Sequence, residues 1–550
     1  MARERRQIEL TSASSGAAST ALPGPVRIAR PAWIGSSWLV SGAGVLALLG
    51  VVLGSAAIVL AAAQGGSRYM SPYLHHGGPL WMAGPLGGVW PGRPASSAWL
   101  QHAVLIALLI MLACYLVGLA SVRRIPTAVL WTAVGAAHLV ALASPPLLLT
   151  DVFNYEQYAR MGALHGLNPY THLPVAASAD PVFALTTWTH MPSVYGPLFT
   201  LVTYALVPLG VAGSLWAFKV LLSLGSLALL VLVWLLAGRL GRNPKAAVLL
   251  CGLNPLVLVY GLGGGHNDVL AMVPVLAAVL FLADRREMQG AAAMVVAVSL
   301  KASALVLAPV VLLAAGRWRR TAAGGAAAAI VLGGATLLAF GPHLPAVGDQ
   351  SRLVAELSIP NTIGYLLGLG GETATVRAVA QAVLVLGTIA ISVWVWRSRQ
   401  LLAGLGWVTL ILLVTLGWDM PWYLIWLLPF MALLPSRRFR VSAGLVVVWM
   451  TLQWLPTMPR IARDSVGLAP SRTALFCHHQ LAMYQLLGRV PIRHGKPPSC
   501  SQFTTEKARP SPLPEAAAFT AARDCLSFST TRTVCEGFFT RRDFFTVLAR

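Results

Sequence analysis

Acidic side chains are scarce in this sequence: 18 of its 550 residues are Asp or Glu, against 40 Lys and Arg, and all charged residues together make up 11%. Hydrophobic residues make up 57%. A chain this apolar has too little polar surface to stay in water, which excludes an ordinary soluble domain. The two-residue alternation of an outer-membrane barrel is missing, so helices are the only spanning element left. No internal repeat is visible, which counts against the paired halves of a transporter. Cysteine shows no metal-ligand spacing. Cys114 and Cys251 stand singly in apolar runs, and Cys477, Cys500, Cys525 and Cys535 are scattered through the C-terminal tail with their connectivity open.

What is present is a series of apolar runs of roughly 17–25 residues, the length that crosses about 30 Å of hydrocarbon as helix. The net charge of +22 falls mostly in the two tails and in short loops between these runs. That is the pattern of positive loops facing the cytoplasm, and nucleic acid is not an expected partner. The pattern predicts an all-α polytopic membrane protein of about 11–13 crossings. Residues 1–37 form a basic cytoplasmic tail, 38–458 the membrane domain, and 459–550 a tail without helical or strand period, expected to be disordered. The first run, 38–63, reads as an uncleaved helix rather than a signal peptide. With the N-terminus inside, the third crossing ends at Asp151 on the outer face, and residues 151–195 form an outer loop with interfacial helices.

Two stretches resist a simple count. Between Tyr195 outside and the basic "GRLGRNPK" inside, two apolar segments stand where an odd number of crossings is needed, so one of them is partial. Residues 291–316 lie between Arg285/Arg286 and Arg317/Arg319/Arg320. Two half-helices turning near Lys301 would keep both clusters inside.

The few polar residues at the outer boundary are the candidate site. Asp151 sits where a carboxylate is costly unless paired, hydrated or working, and desolvation raises its affinity for a proton toward that of a useful base. It would equally serve as N-cap of the helix "VFNYEQYARMGAL". Glu156 and Arg160 stand four apart and read as a helix-surface ion pair. "GGGHNDV" places His266, Asn267 and Asp268 after three glycines, with donors and acceptors suited to sugar hydroxyls or phosphate, although Asn267 or Asp268 could cap the next helix. Lys301 is the lone cation deep in its apolar run, where a phosphate is a natural partner and snorkelling the alternative. Lys219 reads as able to snorkel. "GWDMPWYLIWLLP" sets Asp419 among Trp418, Trp422, Tyr423 and Trp426, read as sugar-stacking rings or an aromatic belt. A divalent metal is conceivable but not indicated, because a lone His–Asp pair lacks a full ligand set.

Taken in order, "DVFNYEQYARMGALHGLNPY", "YGPLFTL", "LNPLVLVYGLGGGHND", "VSLKASALVLAP" and "PWYLIWLLP" resemble the glycosyltransferase C superfamily. The resemblance is closest to the actinobacterial polyprenyl-phosphate-mannose-dependent mannosyltransferases (glycosyltransferase family 87 and its relatives). It implies a plasma-membrane enzyme with an extracytoplasmic site and no required cofactor. Such an enzyme inverts a hexose, here mannose, as it moves it from a polyprenyl-phosphate carrier to a glycolipid or glycan acceptor of the lipomannan type. The superfamily's base is the first external Asp, which carries over to Asp151, although here it follows the third apolar run and stands without an acidic neighbour. Lys301 and His266 would then hold the donor phosphate. Asn267, Asp268, Tyr155, Tyr158, Asn168, Tyr170, Tyr195, Asp419 and Trp422 would contact sugars or shape their loop. A transferase using polyprenyl-phosphate arabinose or glucose is the near alternative. A flippase for a lipid-linked sugar is the distant one, and a glycosidase is disfavoured because no second carboxyl opposes Asp151.

Overall fold

The computed structural model describes residues 37–63, 79–89, 97–147, 151–456 and 458. The basic N-terminal segment, most of the first outer loop, and the C-terminal tail with its four cysteines lie outside the described residues. The chain divides into two units, Met1–Ser471 and Arg472–Arg550, and everything below concerns the first.

Two long helices, α1 (Ser37–Ala62) and α2 (Ser97–Ser121), pack side by side and are followed by α3 (Thr127–Leu142). An interfacial helix, α4 (Asp151–His165), begins at Asp151 and is far less apolar than the helices around it. The outer loop then leads to a short α5 (Pro197–Tyr204) and a 30-residue α6 (Gly210–Arg239). Only α6 has the length of a crossing, about 45 Å at 1.5 Å per residue, so α5 is the partial segment. Next come α7 (Pro244–Gly252), a π-helical turn (Val257–Gly263) and α8 (Asp268–Ala283). Asn243 caps α7 by accepting from the amides of Lys245 and Ala246, and Pro244 occupies the first turn. Asn254 and Pro255 then break the run, and the two pieces meet at 62°.

The segment α9 (Glu287–Leu300) ends at Lys301, whose backbone is extended (φ −149°, ψ 115°). A 3₁₀ turn (Ala302–Leu307) and α10 (Ala308–Ala314) follow. Arg317 Nε beyond α10 lies 3.9 Å from Glu287 Oε1 at the start of α9. The two ends of the segment therefore meet, and the run is a re-entrant hairpin with Lys301 at its tip. The remaining elements are α11 (Trp318–Phe340), α12 (Val347–Gln350), α13 (Ile359–Leu366), α14 (Ala374–Ser398), α15 (Leu401–Thr415), α16 (Leu424–Leu433) and α17 (Arg437–Gln453).

Five helical segments are long and apolar enough to cross a bilayer among the described residues, or six if the bent pair counts as one span. Six other apolar helices have only 10–17 residues. The 11–13 crossings expected from composition are therefore not matched by full-length helices among the described residues: Asn254 and Pro255 break one run, and the hairpin at Lys301 turns another back. Leu338 is 90% exposed on α11, and Leu386 (α14) and Leu445 (α17) are exposed as well, the distribution of a lipid-facing rim.

The two ends of the bundle differ in charge. At one end, Arg239 pairs with Asp284, and Lys245 donates to the carbonyls of Arg123 and Ile125. There too Arg242 donates to Leu433 O and Arg399 to the carbonyls of Leu313 and Ala315. Cations thus satisfy chain-end carbonyls that hydrocarbon could not. The opposite end gathers Asp151, Asp268 and Lys301.

Candidate functional site

That opposite end holds a small cleft with a cavity volume of about 20 Å³. Asp151, Asp268 and Lys301 line it, with Tyr155, Tyr195 and Trp422 among the rings around them.

Asp151 owes its setting to α4. Asn154, one turn on, accepts from the amides of Thr187 and Trp188 through Oδ1, and its Nδ2 donates to Thr187 Oγ1. These bonds pin the outer loop to the helix and bring the Trp188 indole to Asp151, where Nε1 donates to Oδ1 at 3.3 Å. Burial raises the Asp151 carboxyl to about 6, against the lowering effects of Trp188 and Lys301. The side chain of Asp151 thus faces the cleft and the loop, and a capping role is not needed to explain it.

The glycine loop supplies the second wall. Gly265 has φ +75°, and a Cβ on Gly264 would run into Tyr260 O and the His266 ring. Asn267 occupies the capping position of α8 without making a side-chain cap. Its Oδ1 instead accepts weakly from Lys301, at 3.4 Å. Asp268 Oδ1 lies 2.6 Å from Lys301 Nζ and accepts from Trp426 Nε1 at 2.8 Å. Lys301 also lies over the rings of Tyr423 (5.1 Å) and Trp426 (5.4 Å), so the hairpin tip is held in an aromatic and carboxylate cradle and does not snorkel. Gly196, before α5, permits this tip: a Cβ there would strike Ser299 O and Leu300.

Lys219 is a correction to the snorkelling expectation. It is fully buried in α6 and donates to Ser144 O (2.7 Å), Ser144 Oγ (2.8 Å) and Gly263 O (3.2 Å). It fastens the chain beyond α3 to the end of the π-helical turn, the two segments that lead into Asp151 and His266.

Other sequence candidates separate. Tyr155 lines the cleft, stacking edge-on against Tyr195, Phe199 and Phe218 while its hydroxyl accepts from Asn267 N at 3.4 Å. Tyr158 donates to Met191 O. His266 stacks on Trp422 beside Asp151, behind the cleft surface rather than on it. Asn168 and Tyr170 are away from the cleft: Asn168 ties to Phe340 O, and Tyr170 donates to Tyr195 O. Asp419 is buried against Gln453, which donates to Oδ2 at 2.7 Å, and does not line the cleft. Glu156 and Arg160 do not pair. Arg160 Nε and His165 Nε2 both bind Asp180 at 2.8 Å, while Glu156 stays buried without a hydrogen bond among the described residues, its carboxyl raised to about 8 mainly by burial.

Tyr423 and Trp426 contribute as rings whose sequence setting fits sugar stacking and an aromatic belt alike, while neither Trp188 nor Gln350 is singled out by the sequence. Gln350 lines the cleft from a strap over it. One end of the strap is tied by Ala346 N to Ser193 O (2.9 Å), the other by Ala355 N to Gly417 O (2.7 Å). Among the described residues, no group of three or more His, Cys, Asp and Glu gathers as a metal ion would require.

Chemically, the cleft pairs a desolvated carboxylate able to take a proton with an ammonium able to meet an anion. Residues 47–317 match the family described as alpha-(1->6)-mannopyranosyltransferase, N-terminal domain. Alpha-(1->6)-mannopyranosyltransferase A of Mycobacterium tuberculosis is 30% identical over 346 residues, 56% of this chain and 66% of its own length. Its namesake in Corynebacterium glutamicum is 31% identical over 176 residues, 30% of this chain and 34% of its own. The chain therefore spans just under two thirds of the first relative and about a third of the second. No solved structure matches it.

Proposed function

We propose that the chain is an alpha-(1->6)-mannopyranosyltransferase of the glycosyltransferase C type, as the match of residues 47–317 and the mycobacterial relative suggest, and that it transfers mannose from a polyprenyl-phosphate carrier to a mannan-type glycolipid or glycan acceptor at the extracytoplasmic face of the plasma membrane. The observation that carries this reading is the shared cleft of Asp151 and Lys301 at the end of the bundle remote from the basic loops. A donor whose tail lies in lipid presents its phosphate and sugar at that depth.

Asp151 takes the proton of the acceptor hydroxyl as that oxygen attacks the sugar C1, a role worth about 10²–10⁴-fold. Its raised carboxyl, near 6, leaves it ionised yet basic at neutral pH. Lys301 keeps one N–H on Asp268 and offers another to the departing phosphate, where scarce water strengthens the attraction. Attack opposite the leaving phosphate inverts C1. The relatives' names carry an alpha-(1->6) linkage, and we assign the same bond here, with a primary 6-hydroxyl entering beneath the strap.

Asp151→Asn should abolish transfer, by at least about 10²-fold, in folded protein supplied with the lipid donor and an α-mannoside acceptor. Near-normal turnover discards the base. In the native enzyme kcat/KM should rise with pH through about 6, as Asp151 ionises.

A further inference from the structure

His266 Nδ1 lies 2.7 Å from Tyr260 O. A backbone carbonyl only accepts, so Nδ1 carries the ring's hydrogen. Burial, with a smaller contribution from Lys301, pushes the imidazole down to about 3, and the ring is neutral. Nε2 is therefore a bare lone pair. It is buried, has no hydrogen-bond partner among the described residues, and lies 3.7 Å from Asp151 Oδ2. The ring is held in place by Trp422, parallel to within 11° at 3.3 Å.

A lone pair facing an ionised carboxylate at 3.7 Å is unfavourable for both groups. The same arrangement becomes a good hydrogen bond once the carboxylate has gained a proton and closed the gap by a small rotation. That happens when the base has done its work. His266 has no proton to give a phosphate, and it stands behind Asp151 rather than on the cleft lining.

We propose that His266 is a positioning residue for the base, accepting a hydrogen bond from the carboxyl that forms when Asp151 Oδ2 takes the acceptor's hydroxyl proton. The inference rests on the reading of Asp151 as base. In the step, the acceptor O–H bond breaks and its oxygen bonds to C1 of the sugar. The C1–O bond to phosphate breaks, and its electron pair leaves with the phosphate. The proton resides on Asp151 Oδ2, directed at His266 Nε2, and passes to water when product departs. His266 neither gains nor loses a proton.

Lys301 lowers the proton affinity of Asp151, and Asp268 raises it. The phenols of Tyr155, Tyr158, Tyr195 and Tyr423 surround the same carboxyl. The test leaves all of these in place and changes position 266 alone. His266→Phe keeps a flat ring on Trp422 but offers no acceptor, whereas His266→Gln keeps an acceptor oxygen. Full-length protein is assayed with polyprenyl-phosphate mannose and an α-mannoside acceptor across pH 5–8.

His266→Phe should lower kcat about five- to tenfold, the loss of one hydrogen bond. It should also move the acid limb of kcat/KM downward by roughly half a pH unit or more, because the protonated carboxyl has lost its partner. Donor KM should hold, and His266→Gln should recover much of the limb. Should the Phe variant not fold, His266→Leu is read by the same criteria. An unmoved limb overturns the inference, and so does a raised donor KM with kcat intact, which would return His266 to the phosphate. Either failure leaves Asp151→Asn inactive, whereas an active Asp151→Asn removes the base reading itself.

Discussion

Lys301 and Asp268 are two charges held in a place that water barely reaches, with side chains 16% and 2% exposed. Breaking a buried pair leaves one charge uncompensated, at a cost of about 3–5 kcal/mol, whereas removing both is often close to neutral. Lys301→Met should therefore lower the unfolding midpoint in detergent strongly, and adding Asp268→Leu should restore most of it. Transfer should stay absent in both variants, because the ammonium for the phosphate is gone. A stable Lys301→Met single variant would mean that Asp268 finds another partner. The charged residues of the site were legible because a charge at the bilayer boundary demands a reason. Their partners were not. Trp188 reaches Asp151 across 37 positions, and Arg160 reaches Asp180 across 20, through folds of the outer loop that no local period encodes. Asp419 met the same demand only in part: Gln453 donates to one oxygen, the other is buried without a hydrogen bond among the described residues, and burial raises the carboxyl to about 7.

At the scale of elements, the hairpin of α9 and α10 was readable because basic clusters flank it on both sides, and one crossing cannot leave both in the cytoplasm. What the clusters could not reveal is how its tip is held. Gly196 has φ −64°, so its backbone would accept any residue, and space alone requires glycine. A methyl group there should push the start of α5 off the tip and move Lys301 relative to Asp151. Misplacement of about 1 Å can cost on the order of 10²-fold in rate. Gly196→Ala should thus lose most of its kcat while its melting temperature falls only modestly; unchanged kcat would show that the tip is not positioned by α5. Lys219 illustrates the opposite case. Its run looked able to let the amine reach water, but Ser144 O and Gly263 O offered nearer acceptors.

The molecule has one end rich in cations on carbonyls and another holding the cleft, and the topology we propose puts the first in the cytoplasm. His343 and Gln400 are exposed at the two ends. A membrane-impermeant maleimide applied to intact cells should label His343→Cys above the parent chain and leave Gln400→Cys at the parent's level until the membrane is opened. The reverse would invert the topology and take the site to the wrong side. The polarity was legible from composition, but the number of full-length spans was not, since hydropathy does not register where a helix breaks. The strap of residues 346–355 carries one last consequence. Both of its fastenings run from backbone amide to backbone carbonyl, so they are indifferent to which side chains lie between them. Mutation can rewrite the roof above the cleft, Gln350 included, without unfastening it, and the floor to which we assign the reaction need not change with it. Divergence in what is glycosylated can accumulate on that short span while the chemistry below is inherited intact.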